Sequence, residues 1–149
     1  MYDSIKGAYD LGFNGLVDSG TFLVDSTSAA TLKAGDFVAL TGDYTCGFGS
    51  ANGTILGRVV VVEGYDMLSA DGKVATVKRR CSFEDVALSA TTTYRPTSYG
   101  DLIAVDGAGK IQKLQNLTVD TTNGIAQKRT NAFALAVDTT NAVATIWID

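Results

Sequence analysis

A six-residue pattern occurs twice in this chain. Residues 35–40 read Gly-Asp-Phe-Val-Ala-Leu, and residues 100–105 read Gly-Asp-Leu-Ile-Ala-Val. In both copies a glycine-aspartate step leads into a short apolar segment, which is typical of a turn followed by a β-strand. Two further pairs of segments repeat in the same order: residues 55–62 with 132–138, and residues 73–77 with 142–146. The repetition predicts one three-strand unit that is used twice.

Short apolar segments bounded by glycine, asparagine and aspartate run through residues 31–149. They predict an all-β domain, a compact β-sandwich or a small β-barrel, made of two similar half-units at about 31–80 and 97–149. An Asp-Gly-Ala-Gly turn is expected to join two of the strands in a hairpin. The predicted strands are 37–41, 55–63, 73–79, 101–105, 110–114, 133–137 and 142–148.

Two segments carry more specific expectations. Residues 82–89 begin with Ser82 and place Asp85 three positions later, as in a capping box, so a short helical turn is expected there. In the last predicted strand, alternation puts Trp147 on the same face as Val143 and Thr145.

Residues 1–30 differ from the rest of the chain because they mix aromatic residues with many glycines. This composition is too rich in glycine for a stable helix and too aromatic for a free tail. The segment is therefore predicted to be an extended N-terminal arm that either crosses its own domain or docks on a neighbouring subunit. The candidate partner-binding residues are Tyr2, Tyr9, Phe13 and Phe22.

Composition limits the classes of function. The chain has 149 residues, of which 46% are hydrophobic and 19% charged, as in one folded domain. No apolar run is long enough to cross a bilayer, and the first ten residues lack the pattern of a secretory signal, so neither a membrane role nor export is expected. A net charge of −4 argues against nucleic acid, which requires concentrated lysine and arginine.

The residues that usually carry catalysis are scarce. Histidine is absent, which removes the commonest general base and neutral metal ligand. Cys46 and Cys81 are too few for a zinc site and are expected to stay reduced. The acidic pair Glu84-Asp85 is expected to be solvated. We therefore predict no catalytic residue, no metal and no cofactor.

One motif points to an enzyme. Residues 16–21, Leu-Val-Asp-Ser-Gly-Thr, have the form in which aspartic proteases present their catalytic carboxylate, and residues 55–58 resemble the second loop of the retroviral type. Two such chains could supply the two carboxylates that share a proton. However, too few residues separate Asp18 from Ile55 for the intervening strands and a flap, so we reject the hypothesis of an aspartic protease.

Several segments together resemble a known group of proteins. The succession AGDFVALTG, ILGRVVVVEG, DGKVATV, YGDLIAVDGAGKIQKL and TIWID is similar to the small β-rich decoration, or cement, proteins of tailed-bacteriophage capsids. The resemblance covers about residues 30–149. It implies a non-enzymatic virion protein, made in the cytoplasm of the bacterial host, that binds the major capsid protein on the outer surface of the shell and stabilises it. It also implies self-association as a trimer or a dimer.

A second interpretation keeps the β-domain and changes its role. Loops that contain glycine, asparagine and tyrosine could form a receptor- or carbohydrate-binding head on a phage fibre or spike. The aromatic residues that would stack on sugars are Tyr44, Phe48, Tyr94 and Tyr99.

Overall fold

The computed structural model describes residues 19–64, 72–115, 119–120, 124–125 and 131–149. These residues form twelve β-strands and one 3-10 turn at Thr92–Tyr94, which confirms the predicted all-β class. The strands are β1 (Ser19–Val24), β2 (Phe37–Gly42), β3 (Thr45–Gly47), β4 (Gly57–Gly64), β5 (Lys73–Lys78), β6 (Ser82–Ala87), β7 (Ile103–Val105), β8 (Ile111–Lys113), β9 (Val119–Asp120), β10 (Gly124–Ile125), β11 (Ala132–Asp138) and β12 (Val143–Ile148).

The first five strands close into a barrel in the order β1-β3-β2-β4-β5. β1 runs parallel to β3 and antiparallel to β5, and the remaining neighbours are antiparallel. A parallel pair between strands so close in sequence needs a crossover, which the turns of residues 26–35 provide. The barrel encloses its own apolar cluster of Leu32, Val38, Cys46, Leu56, Val59, Ala75 and Val77.

The second half of the chain repeats these five pairings. β6, β12 and β11 form one antiparallel sheet, and β7 pairs with β8 in the predicted hairpin. Two isolated bridges complete the circuit: Leu102 pairs antiparallel with Phe133, and Leu88 pairs parallel with Ile111. The chain is therefore two barrels of the same topology in tandem, with the β9-β10 hairpin inserted before β11 in the second.

The Gly-Asp step makes the same hydrogen bonds in both barrels. The N–H of Val59 donates to the carbonyl of Asp36, and the N–H of Ala134 donates to the carbonyl of Asp101, each at about 2.8–2.9 Å. The preceding glycines, Gly35 and Gly100, in turn donate to the carbonyls of Val59 and Ala134. Their φ angles of +95° and +83° lie in the left-handed region, so glycine is favoured at both turns.

Strand register aligns the two barrels residue by residue. In each barrel the fourth strand, β4 or β11, has one shift in its pairing register with the strand that follows it. The shift lies between Val59 and Val61 in β4 and between Ala134 and Ala136 in β11. Beyond this bulge Thr76 and Thr145 occupy the same position, as expected from the match of residues 73–77 to 142–146. Side chains at equivalent positions then fill the two cores: Val38 and Ile103, Cys46 and Ile111, Val59 and Ala134, Ala75 and Ala144, Val77 and Ile146.

The repeating unit is larger than the predicted three-strand half-unit, because each copy has two further strands. One of them, β6, replaces the helical turn predicted over residues 82–89, and that prediction is wrong. Phe83 and Val86 of β6 are buried in the core of the second barrel, and β6 pairs with β12. Asp85 has a φ of +53° and lies where the register between β6 and β12 shifts. The three-residue spacing of Ser82 and Asp85 therefore belongs to a bulged strand and not to a helix cap.

The predicted arm also contributes a strand. Residues 19–30 of the segment expected as an arm belong to the first barrel, in which β1 pairs with both β3 and β5. Residues 1–18 lie outside the described residues. In β12 the predicted alternation is confirmed: Ala144, Ile146 and Ile148 are buried, whereas Trp147 lies on the opposite face.

The two barrels share an apolar interface. Phe37, Ala39 and Ile55 lie outside the first barrel core and complete the core of the second. The Phe37 and Phe83 rings meet edge to face with their centroids 5.6 Å apart, and the N–H of Phe37 donates to the Gly109 carbonyl at 2.8 Å. Because the second core is built partly from first-barrel residues, the two barrels are expected to unfold together.

Candidate docking surface

The described residues contain no arrangement suited to metal binding. No cluster of three or more histidine, cysteine, aspartate or glutamate side chains that could hold an ion occurs among them. Asp18, the carboxylate of the protease-like motif, lies outside the described residues, whereas Ser19, Gly20 and Thr21 of that motif are part of β1. Half of the six-residue motif thus belongs to a barrel strand.

The two cysteines are not joined in a disulfide, and they lie in different parts of the fold. Cys46 is fully buried in the first barrel, and the half-buried Cys81 packs against the cluster of the second. Burial, together with the negative charge of Asp25, raises the pKa of the Cys46 thiol to about 11. The thiol is therefore protonated at neutral pH, and it packs as a small apolar side chain.

Three carboxylates with lowered pKa values hold turns together. Burial alone would raise the pKa of Asp25, but hydrogen bonds from Ser28, Thr41 and Thr27 outweigh it. Asp101 accepts hydrogen bonds from the N–H groups of Thr97 and Ser98 and an ion pair from Lys113. The pKa of Asp138 is lowered chiefly by the N–H of Asn141. The local hydrogen-bond partners of these carboxylates account for their lowered pKa values.

The most distinctive surface feature is an apolar stripe across the second barrel, formed by Leu102, Phe133 and Trp147. Leu102 is bridged to Phe133, and Phe133 is paired with Trp147, so the three side chains are cross-strand neighbours. Their exposed fractions are 45%, 38% and 39%. Large apolar side chains that adjoin one another in this way mark an interaction surface more often than scattered ones do.

The first barrel shows how unusual the stripe is. The positions equivalent to Leu102, Phe133 and Trp147 are Phe37, Arg58 and Lys78, by the same pairings. Phe37 is covered by the second barrel, and the Arg58 guanidinium lies 5.7 Å from the centre of its ring. In the first barrel the row therefore consists of a covered apolar residue followed by two cationic residues on the next two strands, whereas in the second barrel all three residues are apolar and exposed.

The sequence singled out Trp147 but missed its two partners in the stripe. Leu102 belongs to the repeated Gly-Asp pattern, and Phe133 begins the predicted strand 133–137. Neither residue is singled out as exposed by the sequence. An alignment of the two copies that places Arg58 at the position of Phe133 would have shown that an apolar residue stands in the second copy where the first has a cation.

Of the four predicted partner-binding residues, the structure describes Phe22. Phe22 is half-buried and packs against the first barrel core, at the position that Val86 fills in the second barrel. It therefore contributes to folding. Tyr2, Tyr9 and Phe13 lie outside the described residues.

The aromatic residues proposed for carbohydrate binding differ in their solvent exposure. Tyr44 and Tyr99 are 82% and 80% exposed, and Tyr94 is 45% exposed. Phe48 is half-buried and packs against the first barrel core.

No family model matches the chain, and no curated protein is significantly similar to it. Among the described residues, no helix is long and apolar enough to span a membrane.

Proposed function

We propose that this chain is a structural protein of the virion that binds the outer surface of a tailed-phage capsid and stabilises the shell. The proposal rests on the resemblance of residues 30–149 to capsid decoration proteins and on one structural observation, the exposed apolar stripe of Leu102, Phe133 and Trp147. The stripe lies on paired strands, so it is held in a fixed shape, and a rigid surface loses little entropy when it docks.

The partner in this proposal is the major capsid protein. A shell presents the same contact many times, so a small apolar contact repeated over an ordered lattice gives firm attachment. The net charge of −4 keeps the free protein soluble before assembly. Tyr2, Tyr9 and Phe13 are proposed as a second contact, and self-association as a trimer or dimer would multiply both contacts.

Co-sedimentation with empty capsids tests the proposal. The wild-type chain should bind saturably at a fixed ratio to the coat subunit. The double variant Phe133→Ser/Trp147→Ser should bind at least about tenfold more weakly, since central aromatic contacts dominate interfaces. Val60→Ser, which changes a 53% exposed residue of the first barrel, is the matched control. Absence of saturable binding by the wild-type chain would reject the proposal.

The contribution of the arm needs a separate truncation. Deletion of residues 1–15 removes Tyr2, Tyr9 and Phe13 and leaves β1 intact, whereas a cut after residue 25 would remove a barrel strand. Capsid binding that is unchanged by the shorter deletion would assign the contact to the stripe alone.

The alternative function is a receptor- or carbohydrate-binding head. It is favoured by Tyr44 and Tyr99, whose rings are almost fully exposed and free to stack. A glycan array separates the two functions, because selective glycan binding that is lost in Tyr44→Ala or Tyr99→Ala would support the head.

A further inference from the structure

A basic patch lies in the first barrel, at the start of β4 and the end of β5. It consists of Arg58, which pairs across the strands with Lys78, and of Arg79 and Arg80, which follow Lys78 directly. Lys78 and Arg80 are exposed to solvent. Paired residues project from the same face of a sheet, so Arg58 and Lys78 present two positive charges side by side. The patch is thus locally cationic in a chain whose net charge is −4.

No carboxylate neutralises the patch. Within the described part of the chain, none of its four side chains forms an ion pair. Like charges that stand directly opposite each other on paired strands destabilise a sheet. The pairing of Arg58 with Lys78 therefore lowers the stability of the barrel, and a bound anion would relieve the repulsion.

The barrel fold does not require these cations. The equivalents of Arg58 and Lys78 in the second barrel are Phe133 and Trp147, which pair in the same way. The next position after Lys78 holds Arg79 in the first barrel and the fully buried Ile148 in the second. The second barrel therefore forms without a positive charge at any of these three positions, and the patch is a feature of the first barrel alone.

Two of the guanidinium groups are held in place by the fold. The Arg58 guanidinium lies over the Phe37 ring in a cation–π contact. The Nε of Arg79 donates to the carbonyl of Leu56 at 3.2 Å. The Arg79 side chain passes Gly57 so closely that a Cβ atom on this glycine would lie 3.0 Å from the Arg79 Cγ. Because these cations are already positioned, they lose less conformational entropy when they bind an anion.

The chemistry of the patch favours the carboxylates of a protein. Guanidinium groups bind carboxylates and phosphates through paired hydrogen bonds. Nucleic acid is disfavoured, because its affinity depends on the neutralisation of many phosphates and the net charge of −4 repels a long polyanion. A short acidic peptide needs few cations. In an extended segment alternate side chains lie about 7 Å apart on one side, which suits a patch of two neighbouring strands.

We propose that the basic patch of Arg58 and residues 78–80 is a docking site for a short acidic segment of a partner protein. Aspartate or glutamate side chains of that segment neutralise the patch and remove the repulsion between Arg58 and Lys78. The site lies in the first barrel and shares no residue with the apolar stripe of the second. The inference does not depend on the capsid role, because it concerns the charge of the partner.

A synthetic hexaglutamate peptide tests the site. Its affinity for the full-length chain is measured by isothermal titration calorimetry at low salt. Lys78→Gln and Arg80→Gln should each weaken binding about two- to fivefold, the loss expected for one exposed ion pair. Lys110→Gln removes the same charge from an exposed position of the second barrel and is the matched control. Equal weakening by all three changes would show that the peptide responds to net charge alone and would overturn the proposal.

Thermal unfolding provides a second measurement that also detects misfolded variants. Lys78→Glu places a carboxylate opposite Arg58, so it should raise the melting temperature by about 1–3 °C. The same change should weaken peptide binding more than Lys78→Gln does. Stability and binding should therefore move in opposite directions. A lower melting temperature for Lys78→Glu, or unchanged peptide binding, would overturn the proposal.

Two further measurements separate other occupants of the patch. A short thymidine oligonucleotide of similar charge should bind more weakly than the peptide, and tighter binding would assign the patch to nucleic acid and overturn the proposal. Sedimentation velocity should show no self-association that depends on the patch. Salt-sensitive association that is lost in Arg80→Gln would assign the patch to a second copy and would also overturn it. These measurements contain no capsid, so their outcome is separate from that of the capsid-binding assay.

Discussion

Asp36 and Asp101 occupy the same position in the two barrels. Each follows a glycine in the left-handed conformation, and each carboxylate accepts the backbone N–H of the residue three positions earlier, Lys33 or Ser98. Each also pairs with a lysine, Lys33 at 3.4 Å and Lys113 at 2.9 Å respectively. The repeated Gly-Asp step is therefore a turn that fixes how the chain enters the second strand of each barrel.

The hydrogen bonds of Asp101 give a pH-dependent contribution to stability. Burial would raise its pKa, but hydrogen bonds from Thr97 and Ser98 and the charge of Lys113 lower it below 3.8. A carboxyl group whose pKa is lower in the folded protein than in the unfolded chain stabilises the fold at pH values above its pKa in the unfolded chain. This contribution is lost as the pH falls through the pKa of the folded state. Asp101→Asn should cost about 1 kcal/mol at pH 7, and the difference from wild type should shrink in acid.

Urea unfolding of wild type and Asp101→Asn at pH 7 and in steps below pH 3.8 checks this expectation. Glu84→Gln, on an exposed position of β6, is the control and should track the wild type. A difference between Asp101→Asn and wild type that stays constant through the acid range would contradict it.

Gly109 is required for the contact between the two barrels. A Cβ atom at this position would lie 2.9 Å from the carboxyl carbon of Asp36 and 3.1 Å from the Phe48 ring. Gly100 has a similar positive φ, but a Cβ atom there would have no other atom within 4 Å. Alanine at Gly100 therefore measures backbone strain alone, whereas alanine at Gly109 adds steric crowding. We expect Gly100→Ala to cost about 1 kcal/mol and Gly109→Ala about 2 kcal/mol more.

The free energy of unfolding of both alanine variants, measured in urea, tests this comparison. Equal losses for Gly109→Ala and Gly100→Ala would show that the barrels do not pack as closely as the structure indicates.

Phe37 and Leu102 are equivalent in sequence and in register, yet they should respond differently to truncation. Phe37 is 1% exposed because the second barrel covers it, whereas Leu102 is 45% exposed. Phe37→Ala should destabilise the protein by about 3–4 kcal/mol, and Leu102→Ala by less than about 1 kcal/mol. Calorimetry of the two variants provides the measurement, and comparable losses would refute the assignment of Phe37 to the interface.

The buried thiol of Cys46 should be unreactive in the folded protein. Its pKa of about 11 leaves almost no thiolate at pH 8, and the fully buried sulfur is inaccessible. Alkylation followed by mass spectrometry should label Cys81 first and should label Cys46 only after unfolding. Rapid labelling of native Cys46 would contradict this placement.

The same thiol affects stability in alkali. Its folded pKa of about 11 exceeds the ordinary value of 9.0, so its contribution is complete below pH 9 and is lost as the pH rises toward 11. Cys46→Ala should therefore show a shallower alkaline loss of stability than wild type, measured by unfolding between pH 8 and pH 11. Parallel curves for the two proteins would show that the thiol ionises equally in both states.

The sequence by itself determined the β-class, the hairpin of residues 101–114 and the match of residues 73–77 to 142–146. Alternation and turn chemistry are local properties, and they predict short strands and their turns without knowledge of the partner strands. The repeated Gly-Asp step was readable for the same reason, since the turn is made by residues within four positions of one another.

Only the tertiary structure decided that each unit has five strands and closes into a barrel. Ser82 and Asp85 fit a helical cap locally, but pairing with β12 buries Phe83 and Val86, and that gain outweighs the local preference. Likewise, Phe37 and Leu102 belong to the same repeated pattern, and their surroundings alone make one a core residue and the other part of the exposed stripe. Burial depends on which surface covers a side chain, and that is a property of the assembled barrels.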